Sequence, residues 1–234
     1  KFSKIASENK AGLIIFPEMT LTGFTLNTTS VSEDYMTSVS MQNFSNMADV
    51  YNIGIVAGMV LKNKNIIQNT AIPFGNDGKV LGEYAKIHPF SFVGEDEYVS
   101  GGTKLSVFEF NKIRFGLTIC YDLRFPLLWA SLADECDCII NIANWPEKRV
   151  DHWYALLQAR AIENQLYVIG VNRTGVDGNG IEYVESSRAY GPDGSIVSSY
   201  AVDKSLSIID IDKTIVDKWQ RDFPIRNDRR PRLY

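Results

Sequence analysis

Four short, almost wholly apolar runs constrain this chain most: "LIIF" at 13–16, "IGIVAGMVL" at 53–61, "CIINIA" at 138–143 and "LYVIGVN" at 166–172. A strand with one face in water alternates apolar and polar residues, so runs without alternation read as strands buried on both faces. Each follows a segment of helical character: the helix end in "KFSKIASENKAG", then "VSMQNFSNMADVYN", "LLWASLADE" and "DHWYALLQARAIENQ". Helix followed by buried strand, repeated, predicts an α/β architecture. "TAIPFGNDGKVLGEYAKI" reads as a hairpin turned at Asn76-Asp77-Gly78, and "SVFEFNKIRFGLTIC" as another. "SRAYGPDGSIVSSY" echoes the first of these at Asp193-Gly194, which predicts two pseudo-equivalent halves. Two sheets face to face with helices outside would bury runs this apolar, giving a four-layer α-β-β-α sandwich in a single domain over 1–234.

Charge and composition remove several classes of partner. With 24 Lys and Arg against 28 Asp and Glu, the formal charge is −4, and no basic patch stands out for nucleic acid. No run reaches the ~18–20 apolar residues of a membrane span, and the start lacks the basic-then-apolar pattern of a signal peptide. A soluble, cytoplasmic protein is the expectation, and the three sequons, at Asn27, Asn43 and Asn172, then read as chance matches. Three cysteines leave one unpaired in any disulfide scheme, and the Cys136-x-Cys138 pair has no neighbouring histidine to make a zinc site. Cys136 and Cys138 read as core.

Sheets of this kind place reactive groups where strands end and loops begin. Glu18 follows "LIIFP", Lys86 follows "LGEYA", and Cys120 follows "GLTI". A cysteine nucleophile needs a base: either His88, two residues beyond Lys86, or a carboxylate, with a nearby lysine favouring the thiolate. His152, beside Trp153, reads as packing. Asp122 and Arg124 are expected to pair and fix the turn after Cys120, and Arg160 and Glu163 to form an intrahelical ion pair.

"FPEMTLTGF" around Glu18, "YAKIHPF" around Lys86 and "ICYDLRFP" around Cys120 together resemble the Glu-Lys-Cys signatures of the nitrilase superfamily of carbon-nitrogen hydrolases, in the family's order. "ANWP" at 143–146, "QARAIENQ" at 158–165 and the closing "FPIRNDRRPRLY" are most similar to its omega-amidase branch. The resemblance implies the four-layer sandwich, catalysis with no metal and no cofactor, and a second glutamate between lysine and cysteine, matching Glu95 better than Glu97. It implies a homodimer joined through the cysteine face, and exposed tryptophans with the tail "NDRRPRLY" read as a docking segment. It also implies a strand and most of a helix ahead of Lys1, whose absence would uncover part of a sheet.

An amide is a poor electrophile with a poor leaving group, so the site must supply a nucleophile, a proton relay and a place for negative oxygen. Cys120 is assigned as nucleophile, Glu18 as base and acid, and Lys86 with the Tyr121 N–H as oxyanion holders; Glu95 is placed behind Lys86, with the site partly open to water. The expected partner is a small amide of the α-ketoglutaramate type, its far carboxylate met by Arg173 or, less favoured, Arg149, with Trp145 walling the pocket. A nitrilase or a carbamoyl-amine hydrolase would keep the same three residues. A silent interaction module would have lost one of them, and the glycines of "GVDGNG" at 175–180 have the spacing of a turn, not of a nucleotide loop.

Overall fold

The computed structural model describes residues 1–230. Its first half comprises helix α1 (Phe2–Glu8), strand β1 (Leu13–Ile15), helix α2 (Val39–Tyr51) and strands β2 (Gly54–Asn63), β3 (Ile66–Phe74) and β4 (Tyr84–Ala85). Strands β5 (Val107–Phe110) and β6 (Ile113–Ile119) lead to helix α3 (Pro126–Ala133), strand β7 (Cys138–Ala143), helix α4 (Val150–Asn164), strand β8 (Tyr167–Asn172), strand β9 (Arg188–Tyr190) and helix α5 (Lys213–Asp222). One sheet has the order β1-β2-β3-β4, with Glu33–Asp34 added along β2; the other has β9-β8-β7-β6-β5.

The two halves share a pattern. β1 and β2 are parallel and β3 returns antiparallel; β7 and β8 are parallel and β9 returns antiparallel. Each returning strand runs into the same turn: Gly75 N–H donates to Lys79 O at 2.8 Å and Gly78 N–H to Gly75 O at 2.9 Å, while Gly191 N–H donates to Ser195 O at 2.8 Å and Gly194 N–H to Gly191 O at 2.9 Å.

Side-chain alternation sorts the layers. Along β2, Ile55, Ala57, Met59 and Leu61 pack with Ala6 of α1 and with Phe44 and Ala48 of α2. Val56, between them, joins Ala71 and Tyr84 in the core that holds Leu117, Ile119 and Ile140 of the second sheet. Trp129 of α3 and Trp153, Leu157 and Ala161 of α4 cover that sheet's other face. The result is the four-layer α-β-β-α sandwich, each buried Leu or Ile contributing roughly 1.5–3 kcal/mol. Gly170 sets the spacing of one layer: a Cβ there would sit 2.4 Å from Leu157 Cδ1 and 2.7 Å from Trp153 Cζ2, so a larger residue would push α4 off β8.

The hairpin at Asn76-Asp77-Gly78 is present but has a longer neighbour, and the expectation of exposed tryptophans needs correction. The longest hairpin, β2 to β3, carries no glycine at its turn, where Lys64 itself adopts φ +56°; after Asn76-Asp77-Gly78 the chain makes a single bridge, Val80 to Phe74, before β4 pairs with Thr70 and Ala71. Trp129, Trp145 and Trp153 are buried, and Trp219 is the exposed tryptophan at 38%. The expected docking tail lies partly outside the described residues, which stop at Arg230; within them Arg229 is tied down, donating to Asn164 Oδ1 at 2.8 Å. Cys136 and Cys138 are buried, as read, and among the described residues no helix is long and apolar enough to cross a membrane.

Candidate active site

Glu18 enters from the loop after β1. That loop is stitched to β2 by Phe16 N–H to Val56 O (2.8 Å), Thr20 N–H to Gly58 O (2.9 Å) and Gly58 N–H to Thr20 Oγ1 (3.0 Å). The approach is close enough that a Cβ on Gly58 would lie 2.7 Å from Glu18 Cα, so glycine at 58 is what lets Glu18 reach the space between the sheets. Lys86 follows β4, its N–H donating to Asn69 O on β3 at 2.9 Å. Cys120 ends β6.

Glu18, Lys86 and Glu95 form one buried cluster. Lys86 Nζ donates to Glu18 Oε1 at 3.0 Å and to Glu95 Oε2 at 2.7 Å, and all three are at most 1% exposed. Asn69 Nδ2 donates to Glu18 Oε1 at 2.7 Å and to Glu95 Oε1 at 3.0 Å. Asn144, just past β7, gives Glu18 Oε2 its backbone N–H at 2.9 Å and its side-chain N–H at 3.2 Å. Glu95 Oε2 also accepts the Phe90 N–H at 2.6 Å.

Electrostatics follows from these contacts. Burial pulls the Glu18 carboxyl up, but the Lys86 charge and the N–H groups of Lys86, Asn144 and Asn69 outweigh it and leave Glu18 below the ordinary carboxylate range. Burial favours neutral Lys86, yet the two glutamates hold its ammonium more strongly still, well above the usual lysine value. The Cys120 thiol is pushed well up, by burial and then by the Glu18 charge, with Lys86 pulling the other way. The resting site is therefore a neutral thiol beside an ionised Glu18 and a charged Lys86.

Cys120 occupies φ +47°, a left-handed conformation that a side chain adopts at a cost of roughly 1–2 kcal/mol. The strand ends there, and the five residues Cys120–Arg124 coil into a 3₁₀ turn. The first N–H groups of such a turn have no partner within it, which leaves the Tyr121 N–H available beside the thiol. Cys120 Sγ faces Asn144 O at 3.9 Å.

Asp122 locks this turn, with partners other than those expected. Its carboxylate accepts the Ile119 N–H at 3.0 Å, the Tyr84 hydroxyl at 2.8 Å and the His88 N–H at 3.0 Å, and contacts His88 Nδ1 at 2.8 Å. His88 is thereby committed to Asp122 and to stacking on Phe125, ring centroids 3.6 Å apart, not to Cys120. Arg124 does not pair with Asp122; its guanidinium lies over the Trp145 ring at 4.8 Å and meets His152 Nδ1 at 3.4 Å. Arg160 does pair with Glu163 at 2.8 Å, and it also donates twice to Leu123 O, at 3.2 and 2.9 Å, so it anchors the turn from α4.

A cavity of about 70 Å³ opens onto Cys120 and Lys86, lined also by Phe24, Tyr121, Asn144, Trp145, Arg124, Arg149 and Tyr183. Trp145 is held by Asn172, whose Oδ1 accepts the Trp145 N–H at 2.7 Å, so the third sequon is an internal bracket. "GVDGNG" is the turn of a two-stranded ribbon, and Asp177 in it accepts the Tyr183 hydroxyl at 3.0 Å, fixing that ring at the cavity. Arg173 is outside the lining, behind Tyr183 at 4.7 Å from its ring; the half-buried Arg149, the less favoured alternative, lines the cavity instead. Sequence reading passed over Asn69 and Asn144. The signal for Asn69 was an amide at a buried position of the strand "IIQNTAIPF"; for Asn144 it was its place directly after the apolar run "CIINIA".

The buried Glu-Lys-Glu cluster and the strand-end cysteine meet at one cavity between the sheets of a four-layer sandwich. Residues 1–221 match the carbon-nitrogen hydrolase family model, and the chain belongs to that family. It is 33% identical over 226 residues to the "Hydrolase in agr operon" of Staphylococcus lugdunensis, covering 95% of this chain and 96% of that protein. It is 32% identical over 223 residues to omega-amidase YafV of Escherichia coli (strain B / BL21-DE3), covering 92% and 83%. Among solved structures, XC1258 from Xanthomonas campestris, a CN-hydrolase superfamily protein, superposes with TM-score 0.89 at 27% identity, covering 98% of this chain and 89% of that one.

Proposed function

We propose that this enzyme is an amidohydrolase of the omega-amidase type, releasing ammonia from the terminal amide of a short dicarboxylic monoamide such as α-ketoglutaramate. The observation that carries the reading is the cavity's lining, which holds Cys120, Lys86 and Asn144 together with two arginines, Arg124 and Arg149. Among the described residues neither arginine is in an ion pair, so each offers N–H donors to a carboxylate. The similarity to an omega-amidase supports the same choice.

In this mechanism Glu18 takes the Cys120 proton as sulfur bonds to the amide carbon, and Lys86 with the Tyr121 N–H holds the oxyanion. Glu18 passes that proton to nitrogen, the C–N bond breaks and ammonia leaves a thioester. Water then attacks, giving its proton to Glu18; the C–S bond breaks, and the departing sulfur recovers the proton. Atoms balance as amide plus water to acid plus ammonia. Because burial and the Glu18 charge push the thiol pKa up, Glu18 has to take its proton for the sulfur to attack.

Ammonia release measured side by side from α-ketoglutaramate, glutamine and a simple nitrile tests the reading. The keto acid should be hydrolysed fastest; release from the nitrile with none from the keto acid would overturn it. Arg149→Ala should raise KM for the keto acid by roughly tenfold or more, the worth of a charged hydrogen bond, with kcat little changed.

A further inference from the structure

We infer that Asn69 is a positioning residue of the hydrolysis, its single side-chain NH2 clamping the Glu18 and Glu95 carboxylates in fixed relation around Lys86. The inference rests on the reading of Glu18 as the base for Cys120.

Lysine alone makes a poor spacer. Its ammonium takes one oxygen from each glutamate, Oε1 of Glu18 at 3.0 Å and Oε2 of Glu95 at 2.7 Å; Asn144 holds the far oxygen of Glu18, and the Phe90 N–H shares Glu95 Oε2, which leaves Glu95 Oε1 to Asn69. Asn69 closes the ring. Its Nδ2 reaches the same Glu18 oxygen at 2.7 Å and the other Glu95 oxygen, Oε1, at 3.0 Å, so rotation of either carboxylate breaks a bond. Its backbone carbonyl accepts the Lys86 N–H at 2.9 Å, so one residue touches all three charged groups.

Asn69 is itself rigid, 1% exposed in β3 and paired opposite Val60. The amide orientation follows from chemistry, since reversing it would set Oδ1 against two carboxylate oxygens. Its Oδ1 is then buried without a hydrogen-bond partner, an expense that an apolar residue in this strand would avoid. The donor edge is what repays the position. An N–H to an oxygen of Glu18 favours its charged form, so losing that donor raises the proton affinity of the base.

The test compares Asn69→Leu, of similar size with no donor, and Asn69→Ser, which retains one. Two readouts are followed against pH: kcat/KM for ammonia release, and alkylation of Cys120 by iodoacetamide scored on its peptide, which needs no substrate assignment. Asn69→Leu should lower kcat by roughly tenfold or more with KM within about threefold. The acidic limb of both profiles should move up by about one pH unit. Asn69→Ser should move it less, in the same direction, and decides the matter if the leucine variant fails to fold. An acidic limb that stays in place in every folded variant, whatever the loss of kcat, would make Asn69 merely structural and overturn the inference. Cys120→Ala runs alongside: ammonia release surviving there would overturn the underlying assignment of the site instead.

Discussion

Cys120→Ala should release ammonia on the order of 10⁴-fold more slowly than the wild type, or not measurably, from every substrate the wild type hydrolyses. The cluster of Glu18, Lys86 and Glu95 stays in place in this variant, so the binding and oxyanion groups survive, but no atom remains to form the thioester. The fold should survive too. The sulfur's hydrogen bond, to Asn144 O at 3.9 Å, is long, and alanine meets the same left-handed backbone at φ +47° that cysteine already tolerates. A loss of about 1 kcal/mol corresponds to roughly 2–4 °C in Tm for a chain of this length. Calorimetry and an ammonia assay on the same preparation separate the two effects, and Cys136→Ala, which removes a buried thiol outside the site, should keep its activity. A folded Cys120→Ala retaining a hundredth of wild-type turnover would remove the cysteine from the mechanism.

Lys86→Met should be damaging in two ways at once. Loss of an oxyanion donor costs ~2.7–4 kcal/mol of barrier, a hundredfold or more in kcat. A site partly open to water, as the sequence led one to expect, would tolerate the loss of this charge, but Lys86 is 1% exposed between two buried carboxylates. Breaking a buried ion pair by deleting one partner typically costs about 3–5 kcal/mol, so the variant should lose much of its stability at neutral pH. The pH dependence gives the cause away. In the wild type the folded pKa of Glu18 lies below its ordinary 4.5, so that group's contribution is present above 4.5 and is lost as pH falls through the folded value. Without Lys86, two buried carboxylates share the site and one is pushed above its unfolded value; its contribution is present below that value and is lost as pH rises through the folded one. Thermal melts from pH 4 to 8 should therefore show the gap between wild type and variant narrowing towards acid. A gap that is constant across that range would mean that the charge of Lys86 does not hold the cluster together.

Much of this was legible before the structure. Fully apolar runs separated by helical segments can satisfy their backbone groups and bury their side chains in few ways, and stacked sheets between helices is one of them. The repeated Asp-Gly turns disclosed the two halves because glycine at φ +75° and +79° is a local requirement, readable at one position. Glu18, Lys86 and Cys120 stood out for a local reason as well: each closes an apolar stretch with a polar, reactive group.

What stayed hidden was long-range. The β2–β3 hairpin escaped because Lys64 takes a conformation that glycine usually advertises. That the cavity lining takes in Arg149 and Tyr183 and not Arg173 was not readable either, because it depends on which loops the fold brings to one place. By itself the sequence determined the layers, the turns and the three reactive side chains, since periodicity and strand ends are properties of neighbouring residues. Only the tertiary structure decided that Asn69 would clamp Glu18 across 51 positions, that Asn144 would meet Glu18 across 126, and that Asp122 would take Tyr84 across 38 in place of Arg124 beside it. Those partners are chosen by which strand ends the sandwich brings together, and a hydrogen bond over that separation leaves no period or spacing in the chain to read.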